Sequence, residues 1–123
     1  MSGGQRRGGI ITVAVAGVTH DCKGSFSYNL GIGKKEAIMG SGRVTGYKET
    51  PQVAFIEGEF TDRGELDVAA LLRTVNATVT LRAANGKTIM LKDAWQAGEG
   101  TVQTEEGNIG VRFESEDEGQ EIS

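Results

Sequence analysis

The stretch TVTLRAANGKTIML, residues 78–91, constrains the fold most strongly. Two apolar-alternating runs flank a short polar turn containing Asn85-Gly86, the pattern of a β-hairpin. Its register follows from polarity. A two-residue Asn85-Gly86 turn would pair Leu81 with Met90 but set Thr80 against Leu91 and Arg82 against Ile89. A three-residue loop over 84–86, ending in a Gly86 bulge, instead pairs Leu81 with Ile89 and Val79 with Leu91. Thr80 then lies beside Met90 and Arg82 beside Thr88, so each face has one character. Glycine suits the left-handed bulge position, and the second register is expected.

The rest of the chain supplies more strands. Residues 10–15 alternate, with Ile11, Val13 and Val15 on one side, and Gly17 ends that run. Residues 25–30 return with Phe26, Tyr28 and Leu30 on one face. VAFIEGEF, residues 53–60, reads as a further strand. A last hairpin covers 100–115, with a turn at Glu106-Gly107 and Ile109, Val111 and Phe113 on one face.

One helix is expected, within 61–77. Asp67 can cap it, and Val68, Leu71, Leu72 and Val75 make a single apolar stripe. The sum is six or seven strands and one helix. The expected fold class is α+β, mainly antiparallel β: a small sandwich or barrel with one flanking helix.

Residues 31–52 read differently. Five glycines and a terminal proline exclude a well-formed helix, and the segment is expected as a long loop. A loop that long is usually functional or disordered. Its Lys34, Lys35, Arg43 and Lys48, with apolar Ile32, Ile38, Met39 and Val44, suit a surface ordered by a neighbour.

At 123 residues the chain fits one domain with a thin core. Hydrophobic residues are 37%, aromatics 6%, and there are 19 glycines, so partners are expected to supply part of the stability. The net charge of −4 argues against a general nucleic-acid binder. Residues 114–123 hold five acids and no base, while 10–113 hold 12 acids and 11 bases. The acidic end reads as a solvated, mobile tail or as an acidic surface facing a partner or channel. Residues 1–9 read as a Gly-rich basic arm. No signal peptide is read at the start, and no apolar run approaches the ~20 residues of a membrane span.

The search for chemistry yields little. His20, Asp21 and Cys22 are adjacent, at an expected turn. His20 and Cys22 could share a strand face, and a Cys-His pair can form a nucleophile, so a small enzyme using them is the rival reading. One His and one Cys cannot fill a typical zinc site. The single Cys22 is a free thiol or half of an intermolecular bridge. GIGKK, residues 31–35, lacks the rest of a phosphate loop. Glu57 and Glu59 face one side of a strand, as exposed charges or an acidic wall. Trp95 reads as a core or subunit contact.

Several segments in one order carry a resemblance: VAVAGVTHDCKGSFSYNLG, GYKETP before an IE strand, the short helix, ANGKT, the Ala94-Trp95 pair and the closing VRFE. Over residues 11–114 the chain resembles the tail tube protein family of Mu-like contractile-tailed bacteriophages. The resemblance implies a small β-sandwich or barrel with one helix, shared with the secreted tube of type VI secretion, which is the alternative identity. It implies hexameric rings stacked into a tube inside a sheath, with tape measure and baseplate proteins as further partners. DNA would leave through the lumen without specific binding. It implies no catalytic residue, cofactor or metal, and a virion protein made in the bacterial host cytoplasm. The domain division expected is an arm at 1–9, a tube domain at 10–114 and a tail at 115–123. Candidate subunit contacts are Ile32, Lys34, Lys35, Met39, Arg43, Tyr47, Lys48 and Trp95. Candidate lumen charges are Glu57, Glu59 and Glu105.

Overall fold

The computed structural model describes residues 11–61, 64, 66–105 and 107–122. Among these, ten strands and one helix follow in order. They are β1 (Thr12–Val15), β2 (Val18–Asn29), β3 (Lys34–Gly40), β4 (Arg43–Thr50) and β5 (Ala54–Thr61). After α1 (Val68–Leu72) come β6 (Ala77–Arg82), β7 (Thr88–Gln96), β8 (Val102–Gln103), β9 (Asn108–Ser115) and β10 (Gln120–Ile122).

The expected mainly antiparallel fold is present, and the sheet closes on itself. Its order is β10-β7-β6-β1-β2-β5-β9-β8, and β7 also pairs with β9. Six strands therefore form a barrel: β1, β2, β5, β9, β7 and β6. The closing seam is short, with Phe113 opposite Gln96 and Glu114 opposite Trp95. β8 fills the free start of β9, and β10 pairs with β7 at Thr88, Ile89 and Met90.

A barrel this narrow is filled by its own side chains. Val13, Ile56, Phe60, Val79, Leu81, Ile89, Leu91, Ile109 and Phe113 are essentially sealed from solvent. Phe60 is the aromatic centre. The His20 ring stacks on it at 4.6 Å, Phe26 lies at 6.0 Å and Phe113 at 6.1 Å. Inward residues alternate along β5 as Ala54, Ile56, Gly58 and Phe60. Gly58 breaks the series because the Phe26 ring occupies its side-chain space; a Cβ there would sit 2.5 Å from the ring.

The hairpin of β6 and β7 has the expected register: Val79 with Leu91, Thr80 with Met90, Leu81 with Ile89 and Arg82 with Thr88. Gly86 takes φ 92°, and its N–H bonds the Ala83 carbonyl at 3.0 Å. Further along β7 the inward series shifts from Ile89 and Leu91 to Ala94. Asp93, at φ 52°, absorbs the extra residue. That irregularity turns Trp95 to the outside of the barrel.

Three expectations need correction. Residues 31–52 are not a loop; they carry β3 and β4. The helix is shorter than the stripe proposed for it. Asp67 Oδ1 does accept the Ala70 N–H at 3.0 Å, and Leu71 is buried. The chain then leaves the helix to enter β6, with Asn76 at φ 52°, so Val75 faces solvent. The THDC segment lies within strand β2 rather than at a turn; the turn is Ala16-Gly17.

The acidic end does not stand clear of the barrel either. Ser115 is buried, and its hydroxyl donates to the Lys92 carbonyl at 2.6 Å. The Gly119 N–H bonds the Leu30 carbonyl at 2.8 Å, and Lys87 meets Glu121 at 3.4 Å. Residues 116–122 are too polar to read as a strand, yet the open edge of β7 offers backbone partners whatever the side chains. The proposed arm at 1–9 lies outside the described residues.

Two substitutions test this packing by chemical denaturation. Gly58→Ala should cost ~1–3 kcal/mol, because an aromatic ring in a packed barrel must move. Asp93→Val should cost ~1–2 kcal/mol, because a β-branched residue tolerates a left-handed backbone poorly, while Asp93→Gly should not destabilise comparably.

Candidate assembly surface

β3 and β4 form their own two-stranded sheet, apart from the barrel. The turn is Ser41-Gly42, with φ 39° and 81°, the geometry of a tight two-residue hairpin turn. A bulge at Thr45-Gly46 interrupts the register between Ile38 and Met39. Four of the five glycines in 31–52 thus sit at the turn, the bulge and the base. They punctuate the hairpin rather than abolish it. The Ser41-Gly42 pair was the local signal for the turn. It was masked because neither strand shows the single apolar face that burial in the barrel would impose.

The base of the hairpin is fastened. Gln52 Nε2 donates to the Ile32 carbonyl at 3.0 Å, and Asn29 Nδ2 donates to Gln52 Oε1 at 3.5 Å. Beyond the base, almost every residue is exposed.

Register sorts the side chains into two faces. Ala37 opposes Tyr47, Lys35 opposes Glu49 and Met39 opposes Val44. This face is apolar at its centre and charged at its edge, and Lys35 Nζ lies 5.9 Å from the Tyr47 ring centroid. The other face carries Lys34, Glu36, Ile38, Lys48 and Thr50, with Thr50 Oγ1 donating to Glu36 at 3.2 Å. Met39, Val44 and Tyr47 are 65%, 60% and 61% exposed. A lone two-stranded hairpin is marginal in water, and a contiguous exposed apolar face marks an interaction surface. The structure thus brings Ile32, Lys34, Lys35, Met39, Arg43, Tyr47 and Lys48 together on one projecting arm.

Trp95 is elsewhere. It lies half-buried on the outer face of the seam, opposite Glu114. Glu57 and Glu59 are exposed on the outward face of β5. Glu57 is not a free charge: Arg112 Nη1 approaches it at 3.2 Å, while Arg112 Nε donates to Glu114 at 2.6 Å. The same guanidinium covers the Phe55 ring at 4.0 Å. The Glu114 hydrogen bond, helped by Glu57, holds Arg112 more firmly protonated than an ordinary arginine. This cluster was missed in the sequence because its partners are 55 residues apart and meet only through the β5–β9 register. Glu59 opposes Gly110, and Glu105 sits in the exposed turn between β8 and β9.

The Cys22 thiol donates to the His20 carbonyl at 3.7 Å, and the imidazole is stacked on Phe60. Both side chains of the rival enzyme pair are thus half-buried against the barrel core, and His20 also borders an open cleft. Among the described residues no three His, Cys, Asp or Glu side chains are grouped to hold a metal ion. No described helix is long and apolar enough to cross a membrane.

Comparison with known proteins gives the projecting arm a context. The family model described as "Phage tail tube protein" matches residues 4–119. The chain is 32% identical over 99 residues to the tail tube protein of Escherichia phage Mu, covering 80% of this chain and 82% of that one. It is 33% identical over 82 residues to the Mu-like prophage FluMu tail tube protein of Haemophilus influenzae, covering 67% and 68%. An antiparallel barrel with one short helix and an unburied arm, matched along nearly its whole length by this family, places the chain among the phage tail tube proteins.

Proposed function

We propose that the protein is a structural subunit that assembles as hexameric rings, which stack into the inner tube of a contractile phage tail. The carrying observation is the projecting hairpin, whose face of Ala37, Met39, Val44 and Tyr47 has no cover among the described residues. Burying one large apolar side chain contributes ~1.5–3 kcal/mol, so Met39, Val44 and Tyr47 give each subunit a substantial reason to meet a neighbour. Contacts that run head to tail and close make rings. The role is structural rather than enzymatic. Trp95, on β7 at the outer face of the seam, is a further contact that forms only once the arm has docked.

In this reading the tube sits within the sheath, contains the tape measure protein before ejection and ends on the baseplate. The subunit is made in the host cytoplasm and becomes part of the virion. DNA passes the lumen without specific attachment. A fixed cation at each phosphate would add salt-sensitive affinity, and repetition along the bore would stall passage. The Arg112 cluster supports a wall without free positive charge, since two carboxylates surround the guanidinium. Glu59 and Glu105 remain the candidate acids for that wall. The domain division follows the same reading, with residues 1–9 as an arm, 10–114 as the tube domain and 115–123 as an acidic tail, of which Gln120–Ile122 pair with β7.

Electron micrographs of the concentrated protein should reveal rings and tubes. A strictly monomeric species by light scattering at every concentration would exclude the assembly. Hydrogen exchange over residues 34–50 should be fast in the monomer and slow in the tube; equal protection in both states would exclude the arm as a contact. Reversing Lys34 and Lys35 to Glu should impair stacking while leaving the melting temperature within a few degrees of the parent.

A further inference from the structure

A second uncovered surface lies at the other end of the barrel. The turn between β1 and β2 and the helix α1 border a cleft of about 450 Å³. Val15, Val18, Leu66, Ala70 and Leu71 give it apolar walls, and His20 contributes its ring. Val18 is 59% exposed at its mouth. The volume is that of a pocket able to take large side chains.

The position of this cleft relative to the hairpin is informative. Asn29 pairs with Phe55 where the hairpin leaves the barrel, and Cys22 pairs with Phe60 near the cleft. β5 runs from one site to the other, and eight residues of strand span roughly 25 Å. No residue of 34–50 lines the cleft, so the hairpin does not fill the cleft of its own chain. An apolar projection at one end and an apolar recess at the other form the two halves of a head-to-tail contact.

Charge agrees with the match. Residues 34–50 carry Lys34, Lys35, Arg43 and Lys48 against Glu36 and Glu49. Among the described residues lining the cleft, Asp67 supplies a carboxylate and no Lys or Arg accompanies it. A basic arm thus meets a carboxylate, and no like charge, at the described wall of the cleft.

We propose that the cleft between the β1–β2 turn and α1 receives the hairpin of a second copy, with Met39 and Val44 seated against Val18, Ala70 and Leu71. This rests on the assembly reading and names its acceptor. The inserted side chains are those nearest the Ser41-Gly42 tip. Lys35 and Arg43 are left to face the rim at Asp67.

The test separates donor from acceptor. Met39→Ser with Val44→Ser disables the arm. Ala70→Lys, at an exposed helical position, obstructs the cleft with a side chain of good helix propensity and the arm's own sign; Val18→Lys is a second block should the first unfold. Thermal melts establish that each variant is folded. The parent should form tubes, and each folded variant alone should remain monomeric. An equimolar mixture of arm-disabled and cleft-blocked copies should stop at a one-to-one dimer, with one intact arm in one intact cleft. Tubes from both folded cleft-blocked proteins would overturn the acceptor while leaving assembly standing. A mixture that stays monomeric at tube-forming concentration would overturn the pairing of these surfaces. A parent that never associates would instead defeat the assembly reading itself.

Discussion

β7 has β6 along one edge and, along the other, β10 at its start and β9 at its end. That second edge closes the barrel. The direct seam is only two residue pairs, reinforced by the Ala97 N–H on the Arg112 carbonyl at 2.6 Å and by Ser115 on Lys92. Closure removes the open edges that a small sheet would otherwise expose, and it wraps the inward side chains of six strands around Phe60. Without the seam, Ile109, Val111 and Phe113 would have no facing wall.

A closed core has a second consequence. The barrel uses its apolar residues internally, and the hairpin of β3 and β4 is left outside with no surface of its own to cover. Its base is held by Gln52 and its turn by Ser41-Gly42, so it is a shaped arm and not a random segment. The same closure leaves a recess beside α1, because a helix of five residues is too short to cap the barrel end completely. Projection and recess both follow from a small barrel with too little secondary structure to hide all its apolar surface. In the assembly proposed above, such surface is where neighbours would attach.

Much of the barrel was legible along the chain. The register of the β6–β7 hairpin, the Gly86 bulge, the inward face of β9 and the Asp67 cap all depend on residues within a few positions of one another. The arm was legible in composition but not in form. Its apolar and basic residues were identified, while its strands were obscured by glycines that mark turn and bulge. The pairing of the tail was not legible because Gln120, Glu121 and Ile122 have no strand pattern and join β7 through backbone groups, with one side-chain ion pair, Lys87 to Glu121.

The sequence by itself determined local geometry: period-two alternation, turn chemistry, capping and the ordered segments by which the family is recognised. These rest on short-range sterics and on the burial preference of each side chain. Only the tertiary structure decided which distant strands meet. It put Arg112 between Glu57 and Glu114, turned Trp95 outward after the Asp93 irregularity, and placed the hairpin and the cleft at opposite ends of β5. The physical reason is that pairing across 55 residues is set by barrel closure and not by any local preference.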